Sequence, residues 1–328
     1  MLVSQLNDQS GRNTPRDSDS QCITIGIVNN MPDSALQATE RQFLSLMDEA
    51  AKQLAVHVSF YALDSVPRSE AGLRHVASYS SLEKLWSSPL DGLIVTGTEP
   101  RAVDLTDEPY WESLTRLINW AESNTSSTIW SCLAAHAAVL YLDGIRRERQ
   151  KEKRFGVFDC IRVIDHELTA GLSSRVCIPH SRWNDLGEEQ LRSSGYSVLT
   201  RSEAGVDVFV KQLNSLFVFV QGHPEYETET LLHEYRRDVR RFLTCQSETY
   251  PVTPTGYFDD DTVATLAILR EHAFSNRSDK MMMDPATVPA KVTNTWRSAA
   301  VALYTNWLSY LSQRKRREKT TLVAGLHG

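Results

Sequence analysis

One cysteine stands where the character of the chain changes abruptly. In STIWSCLAAHAAV (127–139), β-branched and aromatic residues precede Cys132 and an alanine-rich segment follows it. This pattern predicts a strand, a very tight turn at the cysteine and then a helix. Such a turn projects its side chain above the sheet, where the N-terminus of the helix favours a negative charge. Because a lone cysteine is more often a small buried hydrophobic residue, Cys132 is a candidate nucleophile only if a base accompanies it.

A candidate base and its partner follow a second apolar strand. In SLFVFVQGHPEYE (215–227), His223 and Glu225 come directly after the strand, separated only by Pro224. At the carboxyl edge of a parallel sheet this loop would lie beside Cys132, so His223 would take the thiol proton and Glu225 would orient the imidazole. The plainer alternative is a strand-end histidine bonded to a backbone carbonyl, followed by a first-turn helix acid. The combination of both motifs at strand ends favours a Cys-His-Glu site.

The composition limits the classes of partner. The chain has 328 residues, a formal net charge of −6 and a pI near 5.9, so its overall charge does not attract nucleic acid or an acidic membrane. No apolar run approaches the roughly 20 residues that span a bilayer, and the first residues lack a signal-peptide core, so we expect a cytoplasmic protein. The five cysteines show no CxxC spacing, so we expect neither a metal site nor a disulfide framework.

Strand-like and helix-like segments alternate between residues 22 and 142. CITIGIVNN, HVSFYAL, DGLIVTGT and STIWS have the pattern of buried strands, and three of them lead into segments with apolar residues at helical spacing. This alternation predicts an α/β fold with a mostly parallel, doubly wound sheet and helices on both faces. Further strands are predicted around VFDCIRVI and VCIPHSRW, and DVFVKQL and SLFVFVQG are predicted to form a hairpin.

The sequence divides into three parts. Residues 1–20 are polar and are predicted to be a disordered leader. Residues 21–245 are predicted to form the catalytic domain, and residues 246–328 a helical C-terminal extension that packs on this domain and ends in a basic tail. Within the extension, TVATLAILREHAF is predicted to be a helix in an otherwise irregular stretch that contains prolines.

Several long stretches occur in the order found in one enzyme family. They are VNNMP, TERQFL, DGLIVTGTEP, PYW, STIWSCLAAHAAV, EKRFGVFD, PHSRW, GHPEYETETLLHEYRRDV and TWRSAAVALYTNWLSYL. Over residues 22–312 the chain thereby resembles the homoserine O-acyltransferases of the MetA type (homoserine O-succinyltransferase). The resemblance implies a flavodoxin-like sheet of the class I glutamine amidotransferase type. A glutaminase itself is the weaker interpretation, because those enzymes surround the nucleophile with glycines, whereas the neighbours here are Trp130, Ser131, Leu133 and Ala134.

The resemblance implies a ping-pong acyl transfer without a metal or an organic cofactor. By position, Cys132 would attack an acyl-CoA thioester and release CoA, and His223, paired with Glu225, would deprotonate the hydroxyl of L-homoserine that then takes the acyl group. Backbone N–H groups, including that of Leu133, would hold the oxyanion. The family also implies a homodimer, for which the apolar side of TNWLSYL is a candidate interface.

The resemblance also implies a set of residues that bind substrate. By position, Glu234 and Arg237 would hold the ammonium and carboxylate groups of the amino acid. Their spacing of three places them on one helix face, as a zwitterion requires. Arg182 in PHSRW and Lys153 in EKRFGVFD match further residues that contact substrate. From the residues alone, an ion pair on the surface of a helix is the preferred explanation for Glu234 and Arg237.

Two positions depart from the family. Its members usually carry a lysine soon after the MP pair, but MPDSALQATERQF has no basic residue before Arg41, so the oxyanion or substrate geometry is expected to differ. Where relatives that use succinyl-CoA carry glycine and those that use acetyl-CoA carry glutamate, this chain carries Arg101. A guanidinium pairs well with a carboxylate, which favours succinyl-CoA as donor, unless Arg101 faces solvent or Asp104.

Three alternatives remain. A homoserine or serine O-acetyltransferase would use acetyl-CoA with the same site. A cysteine hydrolase or glutaminase would use Cys132, His223 and Glu225 without CoA. A non-catalytic homologue would leave Cys132 no more reactive than the other four thiols.

Overall fold

The structure is a computed structural model that describes residues 3–5, 22–275, 277 and 292–325. Its strands are β1 (Val3–Gln5), β2 (Ile23–Val28), β3 (Val56–Tyr61), β4 (Gly92–Val95), β5 (Ser127–Ser131), β6 (Glu148–Arg162), β7 (Arg175–Asp185), β8 (Ser197–Val198), β9 (Thr200–Ser202), β10 (Gly205–Val206), β11 (Val208–Gln212) and β12 (Leu216–Val220). Its helices are α1 (Leu36–Ala51), α2 (Glu70–Val76), α3 (Leu82–Ser87), α4 (Trp111–Asn124), α5 (Leu133–Asp143), α6 (Glu188–Ser193), α7 (Thr230–Leu243), α8 (Asp260–Ser275) and α9 (Arg297–Gly325).

Eight strands form the main sheet, in the order β1-β3-β2-β4-β5-β12-β11-β8. The first six strands are parallel, and β11 and β8 are each antiparallel to their neighbour. This confirms the predicted α/β fold with a mostly parallel sheet. The predicted hairpin is β11 and β12, in which Val208 faces Val220. Because β12 lies directly beside β5, the loops that follow these two strands meet at the carboxyl edge of the sheet.

The strands of the main sheet supply two apolar cores, one on each face. Leu93 and Val95 of β4 belong to the core that contains α4 and α5, whereas Ile94 belongs to the core that contains α1 and α9. In β5, Trp130 belongs to the core that contains α4 and α5, and Ile129 belongs to the core that contains α1 and α9. Because both faces are covered, these strands are nearly continuous apolar runs, which is why the sequence pattern reveals them.

A second sheet of four antiparallel strands, β10-β9-β6-β7, lies over the carboxyl edge of the main sheet. The segments predicted as strands around VFDCIRVI and VCIPHSRW are its β6 and β7, which pair with each other along most of their length. The sheet closely contacts the loop after β12, where the backbone N–H of His223 donates to the carbonyl of Pro179 at 2.7 Å. At Gly222 an added Cβ would lie 2.5 Å from Ile178 Cγ2, so this approach requires glycine.

The two ends of the chain differ in how they pack. Val3–Gln5, in the segment predicted to be a disordered leader, pair with the free edge of β3, and residues 1–2 and 6–21 lie outside the described residues. At the other end, Trp307, Leu308 and Leu311 of α9 are buried in the core of their own chain. The apolar side of TNWLSYL therefore does not support the homodimer, which stays a prediction.

The extension after residue 245 contributes a third core. TVATLAILREHAF is helical as predicted, within α8, and Leu266 of this helix packs with Tyr235 of α7 and with Trp296. Residues 276 and 278–291 of the extension lie outside the described residues. In the part of the chain that the structure describes, no helix is both long enough and apolar enough to cross a bilayer.

Candidate active site

Cys132 occupies the tight turn between β5 and α5. Its backbone has φ 51° and ψ −112°, a region that residues other than glycine adopt only at a cost of about 1–3 kcal/mol. The turn is held from both sides, because the N–H of Cys132 donates to the carbonyl of Val220 at 2.7 Å and its own carbonyl accepts from Ala135 at 3.0 Å. The strained position lifts the thiol above the sheet at the N-terminus of α5, as the sequence pattern predicts.

His223 and Glu225 lie in the neighbouring loop and are both buried. His223 Nδ1 is 2.8 Å from Glu225 Oε1, so the other ring nitrogen, Nε2, is free to serve the thiol. Burial alone lowers the pKa of His223, but the charges of Glu225 and the Cys132 thiolate, with a hydrogen bond to each, raise it well above its ordinary value. The arrangement favours a protonated histidine beside the Cys132 sulfur.

The backbone N–H of Leu133 is placed to hold an oxyanion. Leu133 is the first residue of α5, and the first N–H groups of a helix have no partner within it. Space beside this N–H depends on Gly97 in the loop after β4, because an added Cβ there would lie 2.9 Å from Leu133 N. Gly97 therefore keeps open a cradle next to Cys132 that a larger residue would fill.

Glu234 of α7 is connected to His223 through one side chain. Its Oε1 accepts a hydrogen bond from the hydroxyl of Tyr226 at 2.5 Å, and its Oε2 accepts one from the hydroxyl of Ser181. The ring of Tyr226 stacks on His223, with 4.3 Å between centroids and 15° between planes. Neither Ser181 nor Tyr226 is among the residues predicted for the site, although they lie within the motifs PHSRW and GHPEYETETLLHEYRRDV.

Arg237 and Lys153 converge on Asp238, an acid that is not among the residues predicted for the site. Arg237 Nε donates to Asp238 Oδ1 at 3.0 Å, and Lys153 Nζ donates to Asp238 Oδ2 at 3.1 Å. Burial raises the pKa of Asp238, but the charges of these two cations lower it below its ordinary value. Both cations also approach Glu234, at 3.9 Å and 3.7 Å. Four of the charged groups that could bind a zwitterion therefore form one cluster on α7 and β6.

Arg182 does not join that cluster. Its side chain is buried, and all three of its nitrogens lie within reach of acceptors in or next to the small sheet, namely His180 Nδ1 at 3.2 Å, Asn184 O at 2.7 Å, Ala204 O at 2.8 Å and Asp185 Oδ1 at 3.0 Å. Among the described residues, no contact links it to Glu234 or Arg237. Its assignment to substrate stays a prediction, and what the geometry shows is an arginine that crosslinks β7 to the turn before β10.

The side chain of Arg101 is exposed. Its backbone is fixed, because its N–H donates to the buried carboxylate of Glu108 at 2.6 Å. Asp104, the alternative partner for Arg101, instead pairs with Arg146. Glu99, two residues before Arg101, lies 3.8 Å from Arg241 of α7, which offsets the negative charge of Glu99.

An arginine lies against the segment in which relatives carry a lysine. The guanidinium of Arg68 donates to the carbonyls of Met31 and Asn29 at 3.0 and 3.1 Å and pairs with Asp33 at 3.3 Å. Its side chain is 2% exposed, whereas that of Arg41 is 61% exposed. Arg68 holds the backbone of this segment in one shape, and no motif in the sequence indicates that a residue after β3 would do so.

A cluster of three buried polar side chains lies where the small sheet meets the β10–β11 connection, near the loop of His223. Cys160, His180 and Asp207 each offer an atom within 4.8 Å of the others, and all three side chains are buried. The three residues are far apart in sequence and have no motif spacing, so the sequence did not indicate this group.

Comparison with known proteins agrees with this geometry. A family model of homoserine O-succinyltransferase matches residues 9–317. The homoserine O-succinyltransferase of Rhodopseudomonas palustris is 45% identical over 309 residues, which cover 93% of each chain. That of Bradyrhizobium japonicum is 44% identical over 293 residues, 88% of this chain and 90% of the relative. The chain belongs to the homoserine O-succinyltransferase family.

Membership in the homoserine O-succinyltransferase family confirms the resemblance seen in the motifs and the predicted acyltransferase class. A crystal structure of a glutamine amido transferase from Methylobacillus flagellatus aligns with a TM-score of 0.50 at 15% identity, over 88% of this chain and 95% of the other. At that identity the likeness concerns the fold alone, and it confirms the predicted amidotransferase-like sheet.

Proposed function

We propose that this protein transfers the succinyl group of succinyl-CoA to the hydroxyl of L-homoserine, through a thioester on Cys132, in the synthesis of methionine. The observation that carries the proposal is the alignment of Cys132, His223 and Glu225 beside the Leu133 amide. A thiolate suits this reaction because its exchange of an acyl group with the thiol of CoA is nearly balanced in energy. Neither half-reaction needs a metal or a prosthetic group, and acyl-CoA serves as a co-substrate.

In the first half-reaction, the Cys132 thiolate attacks the carbonyl carbon of the acyl-CoA thioester. The oxygen becomes negative and accepts a hydrogen bond from the Leu133 N–H. The bond from carbon to the sulfur of CoA then breaks, and the proton on His223 Nε2 passes to that sulfur. Glu225 keeps Nδ1 protonated, so that only Nε2 exchanges protons.

In the second half-reaction, the homoserine hydroxyl attacks the thioester on Cys132. Its proton passes to His223 Nε2 as the new bond from oxygen to carbon forms. The bond from carbon to Cys132 Sγ breaks, and the thiolate is restored beside a protonated His223. The ester product leaves, and the pair is ready for another acyl group.

The acceptor binds at the charged cluster of α7. Glu234, held by Ser181 and Tyr226, takes the ammonium group, and Arg237 takes the carboxylate. Arg237 is suited to this because its side chain is half exposed, whereas that of Lys153 is only 11% exposed and secures Asp238. Serine, one methylene shorter than homoserine, is the alternative acceptor for the same cluster.

The donor is distinguished by its free carboxylate. Arg101 is exposed on a fixed backbone, and neighbouring acids are already paired with Arg146 and Arg241, so its guanidinium is available for the succinyl carboxylate. Acetyl-CoA is the alternative donor, since an acetyl group needs no such partner. The homodimer implied by the family remains part of the proposal without a defined interface.

Intact-protein mass spectrometry after brief exposure to succinyl-CoA or acetyl-CoA tests the proposal. We expect a succinyl mass increment that is absent from Cys132→Ala and disappears when homoserine is added. An increment with acetyl-CoA alone would exclude the role of Arg101, and discharge by serine alone would change the acceptor. Absence of any adduct, with turnover of glutamine or a simple ester, would favour a hydrolase, and absence of both would favour a non-catalytic homologue.

A further inference from the structure

Asp207 is fully buried and holds the two residues that precede the catalytic histidine. Its Oδ1 accepts from the N–H of Gly222 at 3.1 Å, and its backbone carbonyl accepts from the N–H of Gln221 at 3.0 Å. Its Oδ2 accepts from the hydroxyl of Thr200 at 3.1 Å. The loop that carries His223 is therefore attached to the short connection between β10 and β11 through one carboxylate and one carbonyl.

The groups that face Asp207 are of mixed charge. His180 Nε2 of β7 is 3.4 Å from Asp207 Oδ1 but makes no hydrogen bond with it, and since His180 Nδ1 accepts from Arg182, the hydrogen of this ring is on Nε2. Cys160 of β6 also faces it, and burial raises the pKa of that thiol far above its ordinary value, so it is neutral. Arg182 and His223 are the cations that interact with Asp207 through their charge.

These surroundings suit an ionised Asp207 carboxylate without a metal better than they suit a bound metal cation. Burial raises the pKa of Asp207 to about 6, although the bonds from Thr200 and Gly222 and the charges of Arg182 and His223 lower it. A metal bound by Cys160, His180 and Asp207 would need Cys160 as a thiolate. It would also lie close to the Arg182 guanidinium, which donates a hydrogen bond to His180 Nδ1. At neutral pH, Asp207 is therefore a buried negative charge behind the catalytic loop.

We propose that Asp207 is a positioning residue for His223: it fixes the Gly222 amide, and its negative charge stabilises the protonated imidazole opposite the Cys132 thiolate. The proposal rests on the proposed function only in taking Cys132 and His223 as the working pair. It gives the small sheet a role in catalysis beyond covering the site, because the charge that supports the histidine comes from outside the Cys-His-Glu set.

Titration of His223 by NMR, in protein that carries ¹³C-labelled histidine, tests this directly. The signal is assigned as the one missing from His223→Gln. Asp207→Asn keeps the size and one acceptor oxygen but removes the charge, so we expect the pKa of His223 to fall by about one unit, as the loss of one buried charge several ångströms away predicts. The alkaline limb of kcat/KM is expected to move to lower pH by the same amount.

The matched control is Asp159→Asn, which removes the same charge from β6 of the same sheet at a side chain that is 49% exposed. It is expected to leave the titration unchanged, because solvent screens it. Thr200→Val supplies a second variant should Asp207→Asn fold poorly. Loss of the hydroxyl donor disfavours the ionised carboxylate, so a smaller shift in the same direction is expected.

An unchanged His223 titration in folded Asp207→Asn, or in Thr200→Val if Asp207→Asn does not fold, would overturn the proposal, even if the melting temperature falls. The measurement needs neither acyl-CoA nor homoserine, so it is independent of the acyl-transfer test. A shift in a protein that forms no thioester would leave this inference standing and reject the proposed function. Formation of the thioester without a shift in the His223 pKa would reject this inference and leave the proposed function standing.

Discussion

The carboxyl edge of the main sheet and the small antiparallel sheet above it contribute to the site in different ways. The main sheet carries the groups that are proposed to react, because Cys132 and His223 follow the adjacent parallel strands β5 and β12. The small sheet and its connections supply groups that hold the His223 loop, such as Pro179 and Asp207, and Ser181, which holds Glu234. The reacting groups lie on turns after apolar strands, whereas the holding groups are buried among other polar groups.

Backbone strain lies in the reacting region, whereas the stabilising hydrogen bonds lie in the supporting region. The reacting region contains the unfavourable backbone of Cys132, which stabilising contacts elsewhere must offset. The supporting region makes hydrogen bonds from buried donors to buried acceptors, and removal of one partner leaves the other unsatisfied. Substitutions in the first region should therefore abolish activity with little loss of stability, whereas those in the second should change the titration or binding of groups they never touch.

The largest effect is expected at the strained turn. Cys132→Ala and Cys132→Gly should both lose activity by about 10⁴-fold or more, since the nucleophile is gone. Glycine adopts a positive φ without strain, so Cys132→Gly should be more stable than Cys132→Ala by about 1 kcal/mol, measured by denaturant unfolding. If the alanine variant proves the more stable of the two, the turn is not a source of strain.

The next largest effect is expected where the two loops of the main sheet approach each other. Gly97→Ala would place a Cβ 2.8 Å from Leu133 Cβ and 2.9 Å from Leu133 N, which displaces the oxyanion donor. We expect kcat to fall by about 10²-fold, the usual loss for one such donor, with KM for succinyl-CoA little changed. Gly187→Ala is the control, because its added Cβ meets only the Gln190 side chain, at 3.4 Å.

Glu225→Gln should have an intermediate effect. The carboxylate raises the pKa of His223, so its neutral replacement should lower that pKa and bring the alkaline fall of kcat/KM to lower pH by about one unit. A loss of roughly ten- to a hundredfold in kcat at neutral pH follows from poorer control of the tautomer. Glu227→Gln, two residues along and partly exposed, should change neither quantity. An alkaline limb that stays in place would show that Glu225 does not set the charge of His223.

The sequence predicts the reacting region better than the supporting one, for a physical reason. Strands buried on both faces leave continuous apolar runs, so the positions of Cys132 and His223 at strand ends follow from local pattern. Asp207, His180 and Cys160 come together only when β6, β7 and the β10–β11 connection pair, and no local pattern records that pairing. The same limit applies to Arg68, which lies in a loop and holds another loop far from it in sequence.

Arg182 is the opposite case, because a sequence motif singles it out but its contacts in the structure are not with the charged cluster on α7 and β6. Its place in the PHSRW motif can be recognised from the sequence. Its nitrogens, however, donate to groups of the small sheet and its neighbouring turn rather than to α7. Asp238 was overlooked for a related reason, since an acid in HEYRRDV has the pattern of a solvated helix face until Lys153 of β6 is placed against it. Charged residues of a helix acquire their roles from the elements packed beside them.

The smallest effect should come from the residue that joins the two regions. Tyr226→Phe keeps the ring that stacks on His223 and removes only the donor to Glu234. A hydrogen bond to a charged group contributes about 1.5 kcal/mol or more, so KM for homoserine should rise by about tenfold.

The acylation of Cys132 by succinyl-CoA should keep its rate in this variant, because the first half-reaction does not use Glu234. Tyr257→Phe is the control, since that hydroxyl donates to the carbonyl of Thr228 rather than to an acid. If Tyr226→Phe slows acylation as much as it weakens homoserine binding, the Tyr226 hydroxyl acts on His223, the proposed base. In that case the separation between a reacting and a supporting region does not hold at this residue.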